Sequence, residues 1–152
     1  MGVVKIRKAV GAIVYQRDEF LLVHKVKSIE EDKEIIGQWD FPKGGVNELD
    51  FDFKAAILRE LKEETGSDSY RVTGIINKKI SFDFPKPHKY DRQETVMFYV
   101  EYLGDRTDLK PQDDEIDKVK FFSKEDLTSI LSLKETIEFF KEVVLPYNDT
   151  VL

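Results

Sequence analysis

Apolar and β-branched residues alternate near the start of the chain and predict a pair of strands. The segments KIRKAVGAIVY and EFLLVHKV carry this pattern, and the polar residues 16–18 form the turn between them. Residues 27–38 are mostly polar and are predicted to form a loop over the surface. The segment WDFPKGGVN follows, and we expect a short strand there that is interrupted by Pro42 and by the pair Gly44 and Gly45.

A helical pattern comes next, followed by more strand patterns. The first helix is predicted from about Asp52 to Thr65, with Asp50 or Asp52 as its cap and Gly66 in the left-handed position after its end. The segment SYRVTGIINKKISFDF is rich in strand-forming residues, with Gly74 as a candidate bulge. The strand pattern is strongest in QETVMFYVEYL, and KVKFFS predicts one more short strand.

Two helix starts are predicted in the last quarter of the chain. Ser123 is followed three residues later by an acidic residue, and Ser132 with Glu135 forms a capping box. The last helix is predicted over residues 133–145. The expected class is therefore α/β (α+β), with one mixed sheet covered by helices on both faces. The length of 152 residues fits a single domain, residues 1–152.

Composition narrows the function classes that this sequence can serve. The chain has no cysteine, which excludes disulfides and thiolate metal sites. Its formal net charge of −6 argues against a broad surface for nucleic acid, so a polyanionic ligand would need a metal ion or a few placed Lys and Arg side chains. No apolar run approaches the length of roughly 20 residues that spans a bilayer. We expect a cytoplasmic protein with no membrane segment and no DNA-binding domain, and a homodimer is left open.

Three glutamates crowd the end of the first predicted helix. At about 100° per residue, Glu60, Glu63 and Glu64 fall on one arc beside the apolar arc that would dock on the sheet. Like charges at these spacings destabilise a helix, and the negative end of its dipole adds to the cost. Arg59 offsets one of these charges but not all three. A solvated acidic face is the simpler interpretation, but the cost favours a bound hard cation, Mg²⁺ or Mn²⁺, which takes oxygen ligands.

A glycine pair lies upstream of this helix and suits a phosphate. Gly44 and Gly45 provide backbone that a ligand can approach closely, and Lys43 adds a positive charge beside them. A glycine pair alone is a weak signal. The same pair at a fixed distance before an acidic helix is much more specific.

Together, the glycine pair and the acidic helix resemble a Nudix box. That pattern is a Gly, five residues, a Glu, seven residues, and then Arg-Glu-aliphatic-x-Glu-Glu-x-Gly. The residues that match at the required spacing are Gly45, Arg59, Glu60, Leu61, Glu63, Glu64 and Gly66. Phe51 departs from the pattern at the first Glu, where Asp50 or Asp52 could substitute through water. Ser67 stands where an aliphatic residue is usual.

The resemblance implies a Nudix-type α/β/α sandwich that hydrolyses a nucleoside diphosphate linked to another group. It implies that Gly45, Glu60, Glu63 and Glu64 hold Mg²⁺ or Mn²⁺, and that Arg59 positions the glutamates. Glu115, in the acidic segment DDEID, is similar to a glutamate that some members use as metal ligand or general base. An ordinary exposed acidic loop is an equally good interpretation of that segment.

The substrate is less constrained than the chemistry. The run WDFPKGG resembles that of dinucleoside polyphosphate hydrolases, which implies a substrate such as diadenosine tetraphosphate. It also resembles RNA 5′-pyrophosphohydrolases, and a nucleoside triphosphate pyrophosphatase is a further alternative, as is a non-catalytic domain that senses nucleotides. Many dinucleoside polyphosphate hydrolases carry a Tyr about 17 residues after the box. That position falls near Phe84 in this chain, and an aromatic ring there could still stack on a base. The residues that we expect to bind substrate are Lys43, Gly44, Gly45, Lys79, Phe84, His88 and Tyr90.

Overall fold

The computed structural model describes residues 2–28 and 33–145, which form eight strands in one mixed sheet. The strands are β1 Ile6–Gln16, β2 Glu19–Ser28, β3 Lys33–Asp40, β4 Lys43–Gly45, β5 Tyr70–Ile75, β6 Ile80–Asp83, β7 Arg92–Tyr102 and β8 Ile116–Ser123. Their order is β3-β2-β1-β7-β5, with β4 beside β1, β6 beside β7 and β8 beside β2. The pair β1 and β7 is parallel, and the other pairs are antiparallel.

Helices cover both faces of this sheet, as predicted. They are α1 Phe53–Thr65, α2 Lys124–Ile130, α3 Lys134–Phe139 and a π-helical segment Phe140–Val144. Alternate residues of the central strands supply the two cores, because successive strand side chains point to opposite faces. In β1, Val10 and Val14 pack in the core with Ile57 of α1, whereas Ile13 packs in the core with Phe140. The predicted α/β/α sandwich is confirmed.

Capping residues set the bounds of α1 close to the predicted ones. The Asp52 side chain accepts a hydrogen bond from the Ala55 N–H at 2.8 Å. At the other end, Gly66 has φ of 81°, and its N–H donates to the Lys62 carbonyl at 2.9 Å. A side chain at position 66 would be strained in this left-handed conformation. Asp52 is therefore the cap of α1, and Asp50, the other predicted cap, makes a different contact.

Two predictions about local structure were wrong. Residues 27–38 were expected as a loop, but β2 continues to Ser28 and β3 begins at Lys33; residues 29–32 lie outside the described part. Pairing of the β2 and β3 backbones makes this polar segment a strand, because an edge strand needs no apolar side chains. Ser132 does not cap α3, since Leu133 occupies that position and the Ser132 hydroxyl accepts from the Trp39 N–H at 2.9 Å.

Other local predictions were confirmed. Ser123 is the first residue before α2, although its side chain makes no capping hydrogen bond. The pairing of β5 with β7 shifts register between Val72 and Gly74, where a bulge was expected. Within the described residues, no helix is long and apolar enough to cross a membrane.

Candidate active site

A cleft of about 540 Å³ opens between the glycine pair of β4, the end of α1, strand β6 with the loop after it, and the start of α3. One part of its wall is acidic and is formed by Glu60, Glu63, Glu64, Asp113 and Glu115. Another part is apolar and aromatic and is formed by Ile80, Phe82, Phe84, Pro85, His88 and Leu133. Arg7, Lys25 and Lys43 bring positive charge to the same cleft.

The glycine turn and the glutamates of α1 are in direct contact. A Cβ atom at position 44 would lie 1.9 Å from the Cδ atom of Glu60, so only glycine leaves room for this carboxylate. The Lys43 N–H donates to Glu64 Oε1 at 3.1 Å. The two parts of the predicted Nudix box therefore meet in space, with the carboxylates packed against the backbone that was expected to approach a phosphate.

Arg59 lies behind the cleft and ties this arrangement together. Its guanidinium donates to both carboxylate oxygens of Asp50, at 2.8 and 3.0 Å, and to the Gly45 carbonyl at 2.9 Å. It also donates to Glu60 at 2.9 Å and to Glu63 at 3.2 Å. A planar donor of this kind holds several acceptors in fixed directions. These contacts are those expected of a residue that positions the glutamates.

Phe51 stands where the Nudix box usually has its first Glu, and no neighbouring carboxylate takes the place of that Glu in the cleft wall. Asp50 is engaged with Arg59, and Asp52 caps α1. The Phe51 side chain between them is 92% exposed. None of the three lines the cleft.

The three glutamates share one arc but differ in burial. Glu64 is buried and the Glu60 side chain is 12% exposed, whereas the Glu63 side chain is 48% exposed. Burial raises the pKa of Glu60 to about 7, with Arg59 opposing the shift. Burial, together with the charges of Glu60 and Asp113, raises the pKa of Glu64 well above its usual range. A bound cation would therefore favour the ionised form of both carboxyl groups.

The acidic loop before β8 also faces the cleft. Glu115 pairs with Lys25, whose Nζ lies 3.3 Å from Glu115 Oε2. Asp113, which the sequence analysis did not single out, accepts a hydrogen bond from the Glu115 N–H at 3.0 Å, and burial raises its pKa. The usable signal was the place of Asp113 beside Glu115 in the acidic run DDEID.

The oxygen atoms in the acidic part of the cleft wall suit a hard divalent cation. The available ligands are carboxylate and carbonyl oxygens, with no thiolate and no imidazole among Glu60, Glu63, Glu64 and Asp113. Within the described residues, no group of three His, Asp or Glu side chains is already gathered around one point. An ion here would take one or two carboxylates, with water and substrate phosphate completing its shell, which is the usual habit of Mg²⁺.

The aromatic wall is built from alternate residues of β6 and the loop after it. Phe82 and Phe84 pack edge to face at 5.0 Å between ring centroids. The His88 ring stacks on Phe84 at 3.8 Å and an angle of 3°. His88 Nδ1 lies 3.0 Å from the Tyr90 backbone nitrogen and 3.2 Å from the Tyr90 carbonyl oxygen. The structure thus brings Phe84 and His88 together in the cleft wall.

Two predicted substrate-binding residues lie outside this cleft lining. Lys79 lines a separate, smaller hollow, and its Nζ is 3.8 Å from Glu94. Tyr90 contacts His88 at 6.3 Å between ring centroids but does not line the cleft. Lys43 does line it, with its ammonium 3.1 Å from Asp40.

Comparison with known proteins places the chain in a family. The NUDIX domain model matches residues 5–146. The chain belongs to the NUDIX family. It is 32% identical over 116 residues to an RNA pyrophosphohydrolase of a Nitratiruptor species, a match that covers 68% of this chain and 74% of the relative. This Nudix protein is therefore a hydrolase that acts on pyrophosphate bonds.

Solved structures with the same fold extend over nearly the whole chain. A NUDIX hydrolase from Nitrosomonas europaea superposes with a TM-score of 0.71 at 18% identity, over 91% of this chain and 88% of the other. An Ap4A hydrolase of C. elegans in a binary complex superposes with a TM-score of 0.65 at 20% identity, over 90% and 93%. At these identities the likeness shows the fold.

Proposed function

We propose that this Nudix hydrolase uses Mg²⁺ or Mn²⁺ to cleave a phosphoanhydride within a polyphosphate attached to the 5′ position of a nucleoside. The observation that carries the proposal is the continuity of one cleft. Its wall joins the carboxylates of Glu60 and Glu64 to the aromatic surface of Phe84 and His88. A polyphosphate suits the first part and a base suits the second.

The protein's own residues divide the chemical work by position. Glu60 and Glu64, with Glu63 at the rim, would hold the ion, which stabilises charge on the phosphoryl oxygens and lowers the pKa of water. Arg59 keeps Glu60 and Glu63 in place through its hydrogen bonds. Lys43 has its N–H on Glu64 and its ammonium in the cleft wall, and it would bind a phosphate oxygen.

Two substrates fit this description. The sequence resemblance favours a dinucleoside polyphosphate such as diadenosine tetraphosphate, and a structural neighbour is named an Ap4A hydrolase. The names of the curated relatives favour the triphosphorylated 5′ end of RNA. Both present a 5′-polyphosphate and a base to the cleft and differ in what lies beyond them.

A substrate panel with identified products tests the proposal. Purified protein is given diadenosine tetraphosphate, a short 5′-triphosphorylated RNA and free nucleoside triphosphates, each with Mg²⁺ and with Mn²⁺. We expect metal-dependent release of a nucleotide from the first or of phosphate or pyrophosphate from the second. Glu138→Gln serves as a control that should keep the activity, because it removes a carboxylate that does not line the cleft. No phosphate-containing product from any substrate with either metal would contradict the proposal.

A further inference from the structure

Glu135 is a carboxylate of the cleft wall that the proposed hydrolysis does not use. It lies in the first turn of α3 and is partly buried, and it lines the cleft together with Leu133. We propose that Glu135 selects the base of the substrate by accepting two hydrogen bonds from guanine. This inference rests on the proposed function, because it names the base of the nucleoside polyphosphate.

Glu135 is the cleft carboxylate without a partner in the described part of the chain. Each of the others has one. Glu60 and Glu63 accept from Arg59, Glu64 and Asp113 accept from backbone N–H groups, and Asp40 and Glu115 pair with lysines. No hydrogen bond or ion pair joins the Glu135 carboxylate to another described residue. A partly buried carboxylate with open acceptor positions favours a ligand that brings donors.

Hydrogen bonds on both sides of Glu135 hold its backbone beside the cleft. The neighbouring Thr136 hydroxyl accepts a hydrogen bond from Lys43 Nζ at 2.6 Å. The chain before α3 is fixed as well, because the Ser132 N–H donates to the Trp39 carbonyl at 3.1 Å. Lys43 also connects this helix to the glycine turn that contacts Glu64. Lys43 therefore connects the first turn of α3, which carries Glu135, to the acidic end of the cleft.

An apolar surface lies in the same cleft wall as Glu135. Ile80, Phe82 and Phe84 are alternate residues of an extended segment, and all three line the cleft. Strand β6, which carries the first two, packs against α3. A base stacked on this surface would present its edge, where hydrogen-bond groups lie, to the surrounding wall.

Guanine is the common neutral base whose edge matches a carboxylate. Its N1–H and its exocyclic 2-amino group are adjacent donors, and a carboxylate has two oxygens that accept them together. Adenine and cytosine offer one amino group next to an acceptor nitrogen. Uracil offers one N–H between two carbonyl oxygens. A site built to accept both donors discriminates strongly against a base that lacks one of them.

Binding measurements with non-hydrolysable ligands test this assignment. The probes are the α,β-methylene analogues of GDP, IDP and ADP, measured by calorimetry with Mg²⁺ present. Inosine differs from guanosine only in lacking the 2-amino group. We expect the GDP analogue to bind about tenfold more tightly than the IDP analogue, and more tightly still than the ADP analogue. In Glu135→Gln, whose amide keeps only one acceptor oxygen, the preference for the GDP over the IDP analogue should fall to within about twofold.

The matched control is Glu138→Gln, on the same helix but outside the cleft lining, which should keep the full preference. Equal binding of the three analogues, an unchanged preference in Glu135→Gln, or no binding of any analogue would overturn the assignment. These results are separate from the proposed hydrolysis. A protein that prefers the GDP analogue but releases no phosphate from any substrate would refute the catalytic proposal and leave this one standing.

Discussion

The two ends of the cleft are built in different ways. At the acidic end, the carboxylates of Glu60, Glu63 and Glu64 are packed and hydrogen-bonded by residues of one continuous stretch, 43–64. At the aromatic end, the wall comes from β6, the loop after it and α3, which are distant in sequence. The acidic end has its geometry set before substrate arrives, whereas the aromatic end offers surface and an unpaired acceptor. Variants of the three glutamates should change turnover, and variants at the aromatic end should change substrate affinity.

The largest expected effect is at the acidic end. Glu64→Gln should lower kcat by at least about a hundredfold, because it removes a charge that would hold the divalent cation. The fold should survive, since burial already favours the neutral form of Glu64 and a glutamine oxygen can still accept from the Lys43 N–H. Steady-state kinetics with Mg²⁺ and a thermal melt measure the two effects. Wild-type turnover in a folded variant would remove Glu64 from the catalytic set.

The second largest effect is expected in the free energy of unfolding and in its dependence on pH. The pKa of Glu60 is raised to about 7 from an ordinary value of 4.5. Between these values the folded protein keeps a proton that the unfolded chain has released. The free energy of unfolding of the metal-free protein should therefore fall as pH rises from 4.5 to 7, by up to about 3 kcal/mol.

Urea unfolding at several pH values measures this slope, with Glu60→Gln as the matched control that lacks the titrating group. The difference between the two proteins isolates the contribution of Glu60 from that of the other carboxylates. Added Mg²⁺ should stabilise the protein more at pH 7 than at pH 5, because the ion replaces the proton. Identical slopes for the two proteins would show that the Glu60 carboxyl is ionised normally in the fold.

The contrast between the two ends also explains what the sequence could predict. The acidic helix, its caps and the glycine pair were predictable, because they depend on spacing within about twenty residues and on local rules for Gly66 and Asp52. The α/β/α class followed from the strand and helix patterns. The burial difference between Glu63 and Glu64 was not predictable, because it depends on how the helix sits against β4 and the acidic loop.

The aromatic end depends on tertiary contacts that a sequence pattern does not show. Phe84 was placed near the site by its distance from the box and His88 was predicted to bind substrate, and the structure adds that the two rings stack on each other. Glu135 was predicted as part of a capping box with Ser132. The position of α3 instead directs Ser132 to Trp39 and places Glu135 in the cleft wall.

A smaller effect is expected at the aromatic end. Phe84→Ala should raise KM by about tenfold, since stacking of a base on an aromatic side chain contributes roughly 1–3 kcal/mol. The kcat should stay near the wild-type value, because Phe84 is not among the residues that contact the glutamates. Tyr90→Phe is the matched control, as Tyr90 lies beside the same loop but outside the cleft lining. A fall in kcat with unchanged KM would mean that the two ends are not separate in function.

The smallest effect should come from Lys79, although it was predicted to bind substrate. Its side chain is 54% exposed, lies 3.8 Å from Glu94, and lines a hollow that adjoins the cleft only through shared residues such as Ile80. An exposed pair of this kind contributes about 0–1 kcal/mol to stability. Lys79→Ala should therefore leave KM within about twofold of wild type, whereas Lys43→Ala, at the acidic end, should raise it by about tenfold or more. A different result is that Lys79→Ala raises KM by about tenfold for a triphosphorylated RNA but not for diadenosine tetraphosphate. In that case the RNA would extend past β6 into the hollow, and the binding surface at the aromatic end would be larger than the cleft itself.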